Sequence, residues 1–300
     1  MSATAPAASI AEKPRTPSQL RVVPTAKPVG ADIEGVDLAN LSDAQFQQIH
    51  DAWMKHNVLR FRSQNLSKEQ LQAFSARFGE LDRAPINIKG EPWIAGYPNI
   101  AVMSNIIQDG QPMGSLGYGE AVWHTDMSYI DVTPSAALLY ALEVTKEGGL
   151  TGFLSMYDAH DTLPEDLKQA IDGKEIKHDA SHNSAGELRK GFKPVTDPRE
   201  APGALHPIVI RHPITGRKAL FLGRRPRGYV VGLSLEESEA LLNRLWAHAT
   251  DESKAWWQKW SVGDLLMWDN RCVMHKRTAF DPNERRFMLR TQIKGARPTA

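Results

Sequence analysis

A histidine and an aspartate two positions apart, His124 and Asp126 in Trp123-His124-Thr125-Asp126, set the strictest condition on how this chain can fold. In an extended strand, residues two apart point to the same side, so an imidazole and a carboxylate can face one ion. Two ligands do not close a site. The third candidate is His275, far along the chain in Trp268-Asp269-Asn270-Arg271-Cys272-Val273-Met274-His275. A fold that uses all three must bring two distant segments side by side. Two histidines and one carboxylate on one face, with the other positions open, form the ligand set of non-heme Fe(II) oxygenases. A bare His-x-Asp pair also occurs where the histidine is merely satisfied and the acid solvated, so the pattern needs support.

Support comes from Arg286-Phe287-Met288-Leu289-Arg290. As a strand, this segment places Arg286, Met288 and Arg290 on one face. Burying two guanidinium groups without anionic partners costs on the order of several kcal/mol. An anionic ligand in the same cavity removes that cost, because arginine binds carboxylates through a bidentate fork.

Taken together, these residues resemble the Fe(II)- and 2-oxoglutarate-dependent dioxygenases of the taurine dioxygenase and aryloxyalkanoate dioxygenase (TauD/TfdA) family. The matching residues are Trp123-His124-Thr125-Asp126, Gly148-Gly149-Leu150-Thr151, Trp268-Asp269-Asn270, His275 and the Arg286/Arg290 pair. Weaker matches are Arg77-Phe78-Gly79-Glu80-Leu81, His206-Pro207, and Arg211 through Arg217. The resemblance implies that His124, Asp126 and His275 hold iron. It implies that Thr151 and Arg286 hold the far carboxylate of 2-oxoglutarate, and that Arg290 meets the anionic head of the primary substrate. It further implies Fe(II), 2-oxoglutarate and O2 as cofactor and cosubstrates, with succinate and CO2 released as a small organic anion is hydroxylated. The presence of Asp126 favours hydroxylation over halogenation. Two departures stand out. Leu150 precedes Thr151 where the family often has aspartate, and Ala84 stands near the position of a sulfonate-contacting histidine, which argues against taurine as substrate.

Two other functions use the same residues. A metal-dependent hydrolase can bind Zn²⁺ through the triad, but it needs a general base that the sequence does not show. A non-catalytic jelly-roll binding protein can keep the triad as a structural relic.

The composition narrows the partners. With 300 residues and a net charge of +1, the chain offers no broad field for nucleic acid or a membrane surface. No apolar run is long enough to span a bilayer, and the N-terminus lacks the apolar core of a signal peptide. The single Cys272 makes no internal disulfide, which fits a cytoplasmic protein. The expected assembly is a homo-oligomer, dimer or tetramer.

Along the chain, residues 1–19 read as a disordered tail and 20–300 as one domain with loop insertions near 82–120 and 178–204. Ser42 with Gln45, Ser67 with Gln70, and Ser234 with Glu237 are capping boxes that open helices. Thr162 is expected to cap a short helix through Ile171. The 82–120 loop is a candidate lid, with Trp93, Tyr97 and Tyr118 as possible substrate contacts and Ile100–Met103 as its clear strand. His178 and His182 read as surface or substrate-proximal residues. Arg224, Arg225 and Arg227 could reach an anionic substrate, but a solvated turn is the favoured reading. Ala136–Val144 is a buried strand, Thr151–Met156 and Trp256–Trp260 are further strands, and a Pro213-Ile214-Thr215-Gly216 turn suggests a hairpin. Many short strands, few helices and frequent Gly/Pro turns indicate a mainly β sandwich or barrel with flanking helices. The resemblance sharpens this to a double-stranded β-helix, a cupin-like jelly-roll.

Overall fold

The computed structural model describes residues 19–87, 89–115, 121–183 and 186–300. The expected tail up to residue 18 lies outside the described residues, as does Tyr118. Two antiparallel-rich sheets face one another. The larger has seven strands in the order Arg21–Pro24, Ala31–Glu34, Val58–Phe61, Leu265–Asp269, Ala136–Glu143, Phe287–Ile293 and Ala101–Ser104. The smaller has four, ordered Trp256–Gln258, Thr151–Ser155, Val273–Arg277 and Ala121–His124. The protein is therefore mainly β, with the two-sheet jelly-roll expected from the sequence.

The continuous apolar run at Ala136 is explained by burial on both faces. Ala136, Leu138 and Tyr140 pack outward against the helices Asp43–His56 and Lys68–Ala76. Ala137, Leu139 and Ala141 pack inward, toward the smaller sheet and the helix Leu235–Ala249. The neighbouring strand alternates likewise, with Leu265 and Met267 outside and Leu266 and Trp268 inside. Each fully buried leucine contributes about 1.5–3 kcal/mol by leaving water. Trp268 on the larger sheet and His275 on the smaller meet across the interior, their rings 4.9 Å apart.

The three capping boxes form as expected, with Ser42, Ser67 and Ser234 each accepting from the backbone of the third helical residue. Thr162 does not cap a helix start. It closes the helix Met156–Asp161, its hydroxyl donating to the Asp158 carbonyl, and Glu165–Ile171 follows from Pro164 without a side-chain cap. The strand expected over 151–156 stops at Ser155 because the Ser155 hydroxyl accepts from Asp158 N–H and starts that helix. The strand expected over 256–260 ends at Gln258. Within the 82–120 segment, Ala101–Ser104 forms an edge strand, and Ile107–Gln108 pairs with Gln111–Pro112. Trp93 and Tyr97, expected as substrate contacts, instead pack on the outer hydrophobic cluster. Among the described residues, no helix is long and apolar enough to cross a membrane.

Candidate active site

The strand carrying His124 ends at that residue, and Asp126 begins a turn that runs to Tyr129. The same-face argument from an extended strand is thus corrected: a turn, not a pleat, swings the carboxylate toward His124. Met127, at φ +50°, is part of that bend. His275 pairs directly across from His124 in the smaller sheet. Asp126 Oδ1 lies 3.6 Å from His124 Nε2 and 3.7 Å from His275 Nε2. These three ligand atoms could hold one metal ion.

The surroundings prepare each donor. The Val122 carbonyl accepts from His124 Nδ1 at 2.7 Å, which places the proton there and leaves the Nε2 lone pair facing the site. Burial, then His124, pushes His275 down to about 3, so it is a neutral imidazole at ordinary pH. Burial alone would favour the neutral acid at Asp126. The Arg290 charge is the largest opposing influence and holds the carboxylate ionised, well below its usual range. A neutral imidazole at His275 beside an ionised carboxylate is the donor state a ferrous ion requires.

Two residues fix Asp126. Asn270 accepts from the Asp126 backbone N–H at 2.8 Å, and its amide donates to the Asp126 carbonyl at 3.0 Å. Arg290 Nη2 donates to Asp126 Oδ2 at 2.6 Å, while its buried Nε has no partner. Arg290, expected at the substrate, thus has a carboxylate of the triad as its first partner.

Arg286 sits one residue before the strand Phe287–Ile293, beside a register shift at Phe287/Met288. It is 2% exposed, and no ion pair among the described residues engages its guanidinium. Burial, then Arg277, lowers its pKa to about 9, so it remains charged at neutral pH. A cavity of about 290 Å³ opens beside it, lined also by Gly149, Leu150, Lys259 and Trp260. Gly148, at φ +70°, has no room for a side chain, because a Cβ there would lie 2.5 Å from the Ala279 carbonyl. Thr151 is buried, and its hydroxyl accepts from the Trp260 indole N–H at 2.9 Å. That bond leaves the threonine proton free to donate to an anion. The sequence assigns neither Trp260 nor Asn270 a task at the site, although Asn270 belongs to the matching Trp268-Asp269-Asn270 motif and Trp260 to an expected strand. Trp260 carries no local signal, since only the pairing of Gln258 with Thr151 brings it there.

A second buried group, His212, Asp269 and Cys272, also has ligand atoms close together. It has no donor to spare. His212 Nε2 bonds Asp269 at 3.0 Å, its Nδ1 accepts two backbone N–H groups, and Arg271 covers both carboxylate oxygens. Burial pushes the Cys272 thiol up, so it stays protonated. This network shapes the turn that presents Asn270.

His178, read as a surface or substrate-proximal residue, is fully buried, with neither ring nitrogen hydrogen-bonded. Burial, then His206, lowers it to about 3. The unfolded chain therefore takes up a proton below pH 6.5 that the folded chain refuses until about pH 3. Stability is lost as pH falls through that window, on the order of 1–2 kcal/mol between pH 6.5 and 5 from this group alone. Urea unfolding of His178→Gln should show a shallower pH slope across that interval than the parent. An equal slope would mean that His178 protonates freely in the fold. His182 is paired with Asp179 at 2.8 Å.

Residues 21–292 match the description "Taurine catabolism dioxygenase TauD, TfdA family". The chain belongs to the TauD/TfdA family. It is 33% identical to the (S)-phenoxypropionate/alpha-ketoglutarate-dioxygenase of Sphingobium herbicidovorans, over 91% of this chain and 94% of that one. It is also 33% identical to the alpha-ketoglutarate-dependent 2,4-dichlorophenoxyacetate dioxygenase of Cupriavidus pinatubonensis, over 87% and 92%. Among solved structures, AAD-2 in complex with Mn(II) and N-oxalylglycine superposes with a TM-score of 0.77 at 27% identity, covering 94% of this chain and 99% of that one. A taurine dioxygenase from Burkholderia xenovorans gives 0.75 at 30% identity, over 93% and 92%. Family membership makes the protein an alpha-ketoglutarate-dependent dioxygenase that uses Fe(II), 2-oxoglutarate (alpha-ketoglutarate) and O2.

Proposed function

We propose that the enzyme hydroxylates a small organic anion, such as an aryloxyalkanoate, another carboxylate, a sulfonate or a sulfate ester, with His124, Asp126 and His275 holding the iron. The convergence of three donor atoms from residues so far apart in sequence carries the reading. Bound iron and 2-oxoglutarate supply the oxidising chemistry, in which O2 replaces a substrate C–H by C–OH and succinate and CO2 leave. The protein positions and excludes water. Arg286 receives the far carboxylate of 2-oxoglutarate through its fork, and the Thr151 hydroxyl, oriented by Trp260, donates to the same group. Asn270 and Arg290 keep Asp126 on the metal. The names of the relatives, which include the two aryloxyalkanoate enzymes and an alpha-ketoglutarate-dependent sulfate ester dioxygenase of Pseudomonas putida, support this substrate range.

A succinate-release screen over aryloxyalkanoates, alkylsulfonates and alkyl sulfates tests the substrate class. Substrate-dependent succinate from one of these anions is the expected result. Release only with uncharged compounds would sink it. Arg290→Ala should weaken Fe(II) affinity by about 10–100-fold, the usual scale for a group that supports a metal ligand. Substrate use should suffer as well. Unchanged metal affinity in a titration would show that the contact with Asp126 does not matter. We further expect a cytoplasmic homo-oligomer, dimer or tetramer, a reading supported only by the lone, buried Cys272 as regards compartment. Light scattering checks the assembly.

A further inference from the structure

The metal face extends past His124. On one side His124 pairs with His275, and on the other it bridges to Arg224. The bond from Thr125 N–H to the Gly223 carbonyl flanks this bridge at 3.0 Å. That pattern makes His124 and Arg224 a non-hydrogen-bonded antiparallel pair, the kind with closer side chains. Cross-strand partners share a face, so Phe153, His275, His124 and Arg224 form one row on the ligand side of the smaller sheet.

The end of that row is basic and aromatic. The Arg189 guanidinium lies 3.9 Å from the ring centre of Tyr129, three residues after Asp126, and the Arg224 guanidinium lies 5.8 Å from the same ring. Arg224 donates once, to the Asp179 carbonyl at 3.0 Å. No ion pair among the described residues engages either guanidinium. Burial, then Arg189, lowers the pKa of Arg224; the nearby Asp179 carboxylate pulls the other way, but it is already bound by Ser181 and His182. The adjacent Arg225 shows the contrast: it is tied to Glu239 and to Asn243. The solvated-turn reading therefore fails for Arg224. Arg290, the other cation at the triad, already faces Asp126.

We propose that Arg224 and Arg189, held over Tyr129, bind the anionic head of the primary substrate, a carboxylate or sulfate on an apolar or aromatic body. Gripping the head there turns the substrate body toward His124, Asp126 and His275. Arginine suits a planar carboxylate or a sulfate through paired N–H donors, and the tyrosine ring holds both guanidinium groups in place. The inference rests on the dioxygenase reading above.

The test uses the full chain loaded with Mn(II) and N-oxalylglycine, which cannot turn over. Calorimetric titrations with (S)-2-phenoxypropionate, octyl sulfate and uncharged 2-phenoxypropionamide then read the site. At least one anion should bind, and the amide should bind at least about tenfold more weakly. Arg224→Gln should weaken the anion by at least about 30-fold, the lower end for removing one member of a buried charge pair, and leave N-oxalylglycine affinity unchanged. Arg189→Gln should act in the same direction and serves if Arg224→Gln does not fold. Anion affinity unchanged in the variants, equal binding of acid and amide, or no binding of either anion to the parent overturns the proposal. Failure of the parent to bind Mn(II) and N-oxalylglycine at all overturns the dioxygenase reading instead, and this inference with it.

Discussion

Alanine at His124, Asp126 or His275 should reduce substrate-dependent succinate formation by more than about a thousandfold, the rate equivalent of losing several kcal/mol of stabilisation. The structure explains why no neighbour can substitute. The three donor atoms are the converging set at this face, and Arg290 and Asn270 are committed to Asp126. His275→Ala also removes the ring that packs between Trp268 and Phe153, so a fold check belongs with the assay. The Asp126→Ala variant carries a second signature. It leaves Arg290 without a carboxylate partner, so the protein should lose stability as well as metal. Near-parental turnover in any one of the three variants would remove that residue from the ligand set.

The second large effect is at Arg286, where two consequences of opposite sign are expected. In the ligand-free protein the guanidinium is buried without a counter-ion, an arrangement that costs stability. Arg286→Met should therefore melt at or above the parent when no ligand is present. The same change should weaken 2-oxoglutarate by at least about 30-fold, because a buried charge pair can no longer form. Fe(II) stoichiometry should not change, since Arg286 lies outside the triad. Calorimetry and thermal melts on one preparation decide the matter. Equal 2-oxoglutarate affinity, or a clearly lower melting temperature in the free protein, would contradict the assignment.

The chemistry of this site was more legible in the sequence than its geometry. His124, Asp126 and His275 could be picked out because few residue types bind iron and the Arg286/Arg290 pair and the flanking motifs supported a weak His-x-Asp signal. How they meet was not legible: the sequence suggested a pleated strand, but the structure uses a turn after His124. The large sheet was readable because burial on both faces leaves an unbroken apolar run at Ala136. Local signals served well where the interaction is local, as in the three capping boxes. They failed at Thr162, whose hydroxyl bonds backward into the preceding helix, a choice that tertiary packing decides. The place of Trp260, and which arginine of the 224–227 cluster turns inward, were unreadable for one shared reason. Trp260 follows a strand paired with Thr151 and Arg224 bridges to His124, both contacts between segments distant in sequence, and no periodicity reports that. Arg225, next to Arg224, is chemically identical and faces Glu239 instead.

The central claim is that this chain grips one ferrous ion through His124, Asp126 and His275, with 2-oxoglutarate beside it. The most direct test adds Fe(II) and then 2-oxoglutarate without oxygen, following bound metal and visible absorption together. One Fe(II) per chain, with a weak visible band that appears only on adding 2-oxoglutarate and is absent in Asp126→Ala, is the expected result. A chain that binds no Fe(II), or whose spectrum is the same with and without Asp126, would contradict it.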